Sequence, residues 1–380
     1  MVNITKKKLK LCFICDMKSI HSQKWVNFFV SRGHEVHIIA PNLPKQLETG
    51  KAILHSLERK KSKYKIFKLA YYLRLAYKTK SLIKEIAPDI LNVLYVTDFG
   101  FWAALSKFSP FVITPWGSDI LRHPEQKKLW YYINAYALRN CELIIANSEV
   151  MRDAIKNKLR VRNVQIKILI WTGVDFGIFR VKNTKLKKKL KVEKKFIIFS
   201  NRNLEPLYNI NYIIKMFAKL KKKIPDSVLI IAGEGSQRQK LVYQCRSLNL
   251  DSSVIFLGKI SPEQMNEYLN IADIFITIPD SDSCPSSMLE AFACKKGVIA
   301  SDIPANRSWI INGENGWLIN PRSKEQFLEA CYDVLRHPIK KKSLNRNYEL
   351  VKKKAAYFQN MINIENEYLR LDKERTYKYQ

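Results

Sequence analysis

Short apolar runs rich in β-branched residues alternate with longer segments of helical period along almost the whole chain. A strand buried on both faces reads as an unbroken apolar run, and parallel strands need helical crossovers between them. The alternation therefore confines the chain to parallel sheets covered by helices. Strands are predicted at 9–15, 35–40, 89–95, 110–115 and 141–146, then at 195–200, 227–232, 254–257, 272–278 and 297–301. At 380 residues the chain exceeds the usual single-domain size, so two doubly wound α/β halves follow. The Lys-rich segment 175–195 reads as a solvated linker with a short helix. The expected divisions are 1–178, 179–345 and a basic helical segment 346–380, with a break at Arg336-His337-Pro338.

Charge narrows the partners. Lys plus Arg outnumber Asp plus Glu by 66 to 34, a net +32. Such an excess points to nucleic acid, to an anionic membrane surface or to anionic substrates such as nucleotide sugars and lipid phosphates; the bland reading is lysine spread over solvated faces. In 57–86, Arg59-Lys60-Lys61-Ser62-Lys63 leads into a stretch where Tyr71, Tyr72, Leu73, Leu75 and Tyr77 interleave with Lys68, Arg74 and Lys78. Either this helix lies on an anionic bilayer, or it covers a domain and its aromatics are core. No nucleic-acid-binding motif accompanies the charge, so nucleic acid is not an expected partner.

The seven cysteines show neither a disulfide framework nor a four-ligand zinc spacing, and Cys12-Phe13-Ile14-Cys15 sits within an apolar run as two strand thiols. The run 11–15 is too short for a signal-peptide core, and no stretch approaches the roughly 20 apolar residues of a spanning helix. A cytoplasmic chain, peripheral on the inner face of a membrane, is the expectation.

The chemistry gathers where Ile274-Phe275-Ile276-Thr277-Ile278-Pro279 runs into the polar loop around Asp282 and then into a helix opened by Pro285. Ligand crevices of open parallel sheets lie at such strand ends, and helix N-termini offer amides to phosphate. Asp282 and Glu290 flank that N-terminus, eight positions apart, spaced to face one crevice. The turn Gly233-Glu234-Gly235-Ser236 also follows a strand and opens a helix. Its glycines suit close backbone approach to a phosphate, or simply a tight turn.

The segment 282–290 resembles the acidic-x7-acidic donor motif of glycosyltransferase family 4, whose members have the GT-B fold of two facing Rossmann-like domains. Other segments are similar in the same order: Arg32-Gly33-His34-Glu35-Val36, Thr114-Pro115-Trp116-Gly117-Ser118-Asp119, Ile145-Ala146-Asn147-Ser148, Trp171-Thr172-Gly173-Val174-Asp175, Ser200-Asn201-Arg202-Asn203-Leu204, and Ala300-Ser301-Asp302-Ile303-Pro304 with Asn312-Gly313-Glu314-Asn315-Gly316. The resemblance covers most of 9–320 and is to the members that build bacterial surface polysaccharides. It implies a GT-B fold with a C-terminal helix crossing back to the first domain.

It also implies a retaining hexosyltransferase that uses a nucleotide diphosphate sugar, acts on a glycan or lipid-linked acceptor and needs no metal or other cofactor. Glu290 would bind the donor ribose, Asp282 would lie by the transferred sugar, and Cys284, Pro285 and Ser286 would present backbone amides. Arg202 would bind the diphosphate and offset charge on the leaving group. Gly233, Glu234 and Gly235 would border the donor; Lys18, His21 and Asp119 would border the acceptor, Asp119 also standing as a catalytic candidate. The chain departs from the pattern at Asp282, where Glu is usual, and at Leu207-Tyr208-Asn209, where a phosphate-binding Lys-Gly is usual and only Lys215 stands near. It departs again at Trp116, where many members have His. These departures keep a non-catalytic GT-B glycan-binding or scaffold protein as the alternative; a nucleic-acid-binding protein is the more distant one.

Overall fold

The computed structural model describes residues 7–41, 50–57, 65–337 and 339–378. It divides into two compact units, residues 7–171 with 359–378 and residues 172–358. In the first, β1 (Lys10–Ile14), β2 (Glu35–Ala40), β3 (Ile53–Ser56), β4 (Ile90–Leu94), β5 (Phe111–Thr114), β6 (Leu143–Ala146) and β7 (Gln165–Ile168) form one parallel sheet in the order β3-β2-β1-β4-β5-β6-β7. In the second, β8 (Phe196–Ser200), β9 (Ser227–Ala232), β10 (Val254–Gly258), β11 (Ile274–Thr277), β12 (Gly297–Ser301) and β13 (Trp317–Ile319) are parallel in the order β10-β9-β8-β11-β12-β13. In each sheet the strand order reverses beside the first strand, between β1 and β4 and between β8 and β11. Those are the positions where doubly wound sheets open a ligand crevice.

Ten strands follow the predicted runs, and β3, β7 and β13 do not. These three are edge strands. An edge strand covered less completely carries polar residues: β3 is Ile-Leu-His-Ser with both apolar residues exposed, and β7 is Gln-Ile-Lys-Ile. The predicted capping box is present: Ser261 accepts the Gln264 N–H and the Gln264 side chain accepts the Ser261 N–H, opening the helix Pro262–Ile271.

The first unit ends ahead of the expected boundary at 178. The Val174 N–H donates to the Ala355 carbonyl at 2.7 Å and the Tyr357 N–H to that of Val174 at 2.9 Å, tying the segment after Trp171 into the second unit. The segment 346–380 does not stay together either. The helix Lys341–Ala355 belongs with the second unit, while the helix Tyr357–Lys378 passes from Gln359 onward into the first. There Tyr368 stacks on Phe29 at 5.3 Å, and Glu365 meets both Arg32 and His34.

The run Arg59-Lys60-Lys61-Ser62-Lys63 lies outside the described residues. In the helix Lys65–Ile86 the two readings divide along its faces: Leu75, Ala76, Ile83 and Ile86 are core with Tyr71 and Tyr72 against them, whereas Leu73, Arg74 and Tyr77 are exposed. Among the described residues no helix is long and apolar enough to cross a membrane.

Candidate active site

The expected residues fall into two clusters, one in each unit. In the second unit the backbone leaves β8 at Ser200, and Arg202 turns toward the loop after β11. Its Nη2 donates to Asp282 Oδ2 at 2.9 Å, its Nη1 to Ser287 Oγ at 3.0 Å, and its guanidinium lies 4.3 Å from the centre of the Tyr208 ring. Burial alone would lower the arginine pKa, but the Asp282 carboxylate and then Tyr208 outweigh it and raise it, so the group stays charged. The other Asp282 oxygen accepts the Ser283 N–H at 2.8 Å. Arginine and carboxylate thus span the point where the strand order reverses. Glu290 stands half-buried on the helix Ser286–Ala293, the helix whose first turn supplies Ser287.

Three expectations for this loop change. Of the amides expected at 284–286, Pro285 has none and that of Ser286 is spent on the Cys284 carbonyl at 2.9 Å. The Cys284 thiol is buried, and burial, only partly opposed by a hydrogen bond with Thr172, pushes its pKa up to about 12, so it is a protonated packing group. Lys215 is exposed on the helix Ile210–Lys223 and does not stand in for the missing lysine. At the Lys-Gly position, Tyr208 covers the Arg202 guanidinium instead, and Asn209 takes the left-handed conformation with φ 54°, its side-chain amide donating to the Ile278 carbonyl at 2.9 Å and to Asp280 at 2.7 Å.

The Gly233-Glu234-Gly235 turn is held by backbone packing. A Cβ at Gly233 would lie 2.4 Å from the Arg202 carbonyl oxygen, and one at Gly235 would lie 2.5 Å from that of Leu204. The Gly233 N–H donates to the Gly258 carbonyl, Leu204 N–H to that of Glu234, and Ser236 N–H to the Glu205 carboxylate. These glycines let two loops touch and so fix the peptide that carries Arg202. Gly235→Ala should destabilise the protein by about 1–3 kcal/mol through that clash, read as a lower urea midpoint; an unchanged midpoint would refute the packing role.

The first unit holds Lys18, His21 and Asp119 near the carboxyl ends of β1 and β5. Lys18 is exposed on the turn after β1. His21, exposed at the start of the helix Ile20–Ser31, has its ring edge-on to Trp116 at 5.9 Å and to Trp171 at 6.0 Å; desolvation against these rings, then Lys24, lowers its pKa. Asp119 does not reach toward a substrate. It is fully buried, and its oxygens accept the N–H groups of Val96 at 2.9 Å, Trp116 at 3.1 Å and Gly117 at 2.8 Å. Burial raises its pKa against the pull of those amides. Asp119 positions the turns after β4 and β5.

Two family profiles match in tandem, "Glycosyl transferase 4-like" over residues 10–148 and "Glycosyl transferases group 1" over residues 181–351. The chain belongs to the family 4-like glycosyltransferases. Among relatives of this glycosyltransferase is the N-acetyl-alpha-D-glucosaminyl L-malate synthase of Bacillus anthracis, 24% identical over 86% of each chain. Among solved structures, Anabaena Alr3699/HepE in complex with UDP and glucose superposes with a TM-score of 0.76 at 16% identity, covering 94% of this chain and 99% of that one. A lipopolysaccharide outer core galactosyltransferase superposes with a TM-score of 0.66 at 18% identity, covering 93% and 98%. These likenesses establish the GT-B fold for both parallel-sheet units of the glycosyltransferase.

Several neighbours of its sites were not legible in the sequence. Ser287 and Tyr208, which hold Arg202, are ordinary helix and loop residues until the fold brings them to it. In the first unit Tyr95, His123 and Trp130 gather beside Trp116, with Tyr95 and His123 rings 5.9 Å apart and His123 and Trp130 rings 4.7 Å apart.

Proposed function

We propose that this glycosyltransferase moves a hexose-type residue from a nucleotide diphosphate sugar to a glycan or lipid-linked acceptor with retained anomeric configuration, in the building of a cell-surface polysaccharide. The observation that carries the reading is the Arg202–Asp282 pair across the β8–β11 switch point, a guanidinium at a strand end beside a helix that bears Glu290. The likeness to a protein solved with UDP and glucose supports a nucleotide-sugar donor, and the likeness to a lipopolysaccharide transferase supports the polysaccharide role.

In this reading the diphosphate takes the guanidinium's two-pronged donation, Glu290 holds the ribose hydroxyls and Asp282 stands by the sugar. The acceptor hydroxyl attacks the anomeric carbon from the face that the diphosphate leaves. The bond from that carbon to the diphosphate oxygen breaks, the glycosidic bond forms, and the hydroxyl proton passes to the departing diphosphate. No protein acid or base is needed, and Arg202 stabilises the charge that develops. The reading involves no metal. The basic excess, with Leu73 and Tyr77 exposed on the helix Lys65–Ile86, supports work at an anionic membrane surface.

A nucleotide-sugar panel in a thermal-shift assay tests the donor. One donor at about a hundredfold excess over its Kd should stabilise the protein by about 2.7 kcal/mol, and the product's anomeric signal by NMR should match that donor's configuration. A folded protein that no donor stabilises would instead support the non-catalytic glycan-binding reading.

A further inference from the structure

Tyr95 follows β4 with φ 111° and ψ 122°, and Asp98 follows with φ 65° and ψ −68°. Neither is glycine, so both conformations cost free energy that surrounding contacts must offset. Much of that offset comes from Asp119, whose buried carboxylate ties the Val96 amide to those of Trp116 and Gly117. Asn134 reinforces the arrangement, its side-chain amide donating to the Asp119 carbonyl at 2.6 Å and to Thr97 Oγ1 at 3.1 Å. Backbone held in sparsely populated conformations at a strand end marks a place where a side chain is being aimed.

What is aimed is the Tyr95 hydroxyl. It lies 3.3 Å from Ser118 Oγ and 3.3 and 3.4 Å from the two ring nitrogens of His123. An O–H···O bond between satisfied partners is about 2.7–2.8 Å. These groups, with Thr97 Oγ1 at 3.4 Å from His123 Nδ1, are therefore joined only by long hydrogen bonds, which a ligand hydroxyl placed among them replaces with shorter ones. Around them stand aromatic rings: Trp116 edge-on to Tyr95 at 6.4 Å, and Trp130 beside His123. Tyr95, Trp116, His123 and Trp130 are all partly exposed and Ser118 is exposed. Burial, the largest influence on His123, lowers its pKa against the pull of Asp119, so at neutral pH the imidazole keeps one nitrogen as an acceptor. The cluster borders the β1–β4 switch point, where the sheet of the first unit opens its crevice.

We propose that Tyr95, Ser118 and His123, walled by Trp116 and Trp130, form a subsite for the pyranose ring of a carbohydrate acceptor. A pyranose offers an apolar C–H face to an aromatic wall and hydroxyls on its rim to convergent polar groups; an acyl chain has no group to replace their long mutual hydrogen bonds. The use of the bound ring as an acceptor rests on the transferase reading above; its binding does not.

Saturation-transfer NMR on the full chain tests this with the methyl glycosides of glucose, galactose and N-acetylglucosamine, each with and without UDP. At least one glycoside should receive saturation, and Tyr95→Phe and His123→Gln should each weaken it roughly tenfold, the effect of about one lost hydrogen bond, while UDP signals stay unchanged. Circular dichroism confirms that each variant is folded, and Ser118→Ala, at an exposed position, replaces any that is not. No glycoside signal, or one undiminished in the variants, overturns the proposal. So does a variant-sensitive signal from diacylglycerol micelles in place of the glycosides, which would assign a lipid acceptor. A variant-sensitive glycoside signal without any UDP signal would sustain the subsite and sink the donor reading instead.

Discussion

Arg202→Ala is expected to lower kcat/KM by roughly a hundred- to a thousandfold, the usual effect of deleting a group that stabilises charge developing in a transition state. The expectation follows from geometry. Arg202 is held on three sides, by Asp282, Ser287 and Tyr208, so its fork is already oriented before a diphosphate arrives. If the guanidinium acts on the leaving diphosphate, kcat falls together with donor affinity. If it only binds the ground state, KM rises and kcat stays. Arg202→Lys separates charge from shape, because an ammonium keeps the charge and loses the paired donation; it should recover part of the activity and little of the donor-induced thermal shift. Removing the guanidinium also leaves Asp282, whose side chain is 13% exposed, with the Ser283 amide as its remaining hydrogen bond among the described residues, so melting of both variants must be measured beside their rates. Transfer at the wild-type rate by a folded Arg202→Ala would remove Arg202 from the chemistry.

The same residues show what a sequence discloses. Strand ends and a helix start mark where Arg202 and Asp282 stand, and the fold brings those two side chains together; the roles assigned to them and to Glu290 come from the resemblance. The central strands were legible because burial on both faces writes an unbroken apolar run; β3 and β7 were not, because an edge strand exposed on one side mixes polar residues into a short run, and β13 was not, because Trp-Leu-Ile is only three residues long. Asp119 reads as a loop carboxylate near a substrate, since nothing in Trp-Gly-Ser-Asp shows that three amides will surround it. The glycines at 233 and 235 read equally as phosphate loop or turn, and only the opposing carbonyls of Arg202 and Leu204 decide between them. Tyr95 and His123 depend on contact between residues far apart in sequence and on a positive φ at a non-glycine residue, and neither leaves a mark on composition or spacing.

Glu365→Ala is expected to destabilise the first unit by about 1–3 kcal/mol, as for leaving a buried donor without its acceptor, because the arginine it strands is 39% exposed and can turn to water. The Glu365 side chain is 2% exposed on the C-terminal helix. Arg32 donates to both of its oxygens at 3.1 Å, and His34 Nε2 donates to one at 3.0 Å. His34 Nδ1 accepts the Leu9 N–H at 3.2 Å, which fixes the neutral tautomer with its proton on Nε2. Truncation leaves that N–H facing a void; Glu365→Gln keeps the volume and one acceptor oxygen and should cost less. The urea midpoint measures both, and an alanine variant as stable as wild type would remove the cluster from the account of how the last helix is held. The cluster also sets a pH dependence. Burial, opposed by Glu365, lowers the His34 pKa, so the unfolded chain takes up a proton first as pH falls. Stability is therefore full above the unfolded histidine value of about 6.5 and declines as pH drops below it toward the folded pKa. Without the carboxylate that raises it, the folded pKa in Glu365→Gln moves lower and the declining range widens. His21, His55 and His123 are lowered too and add slope of the same sign, so His34→Gln should flatten the profile in part. A His34→Gln profile as steep as wild type's would place the pH response in the other three.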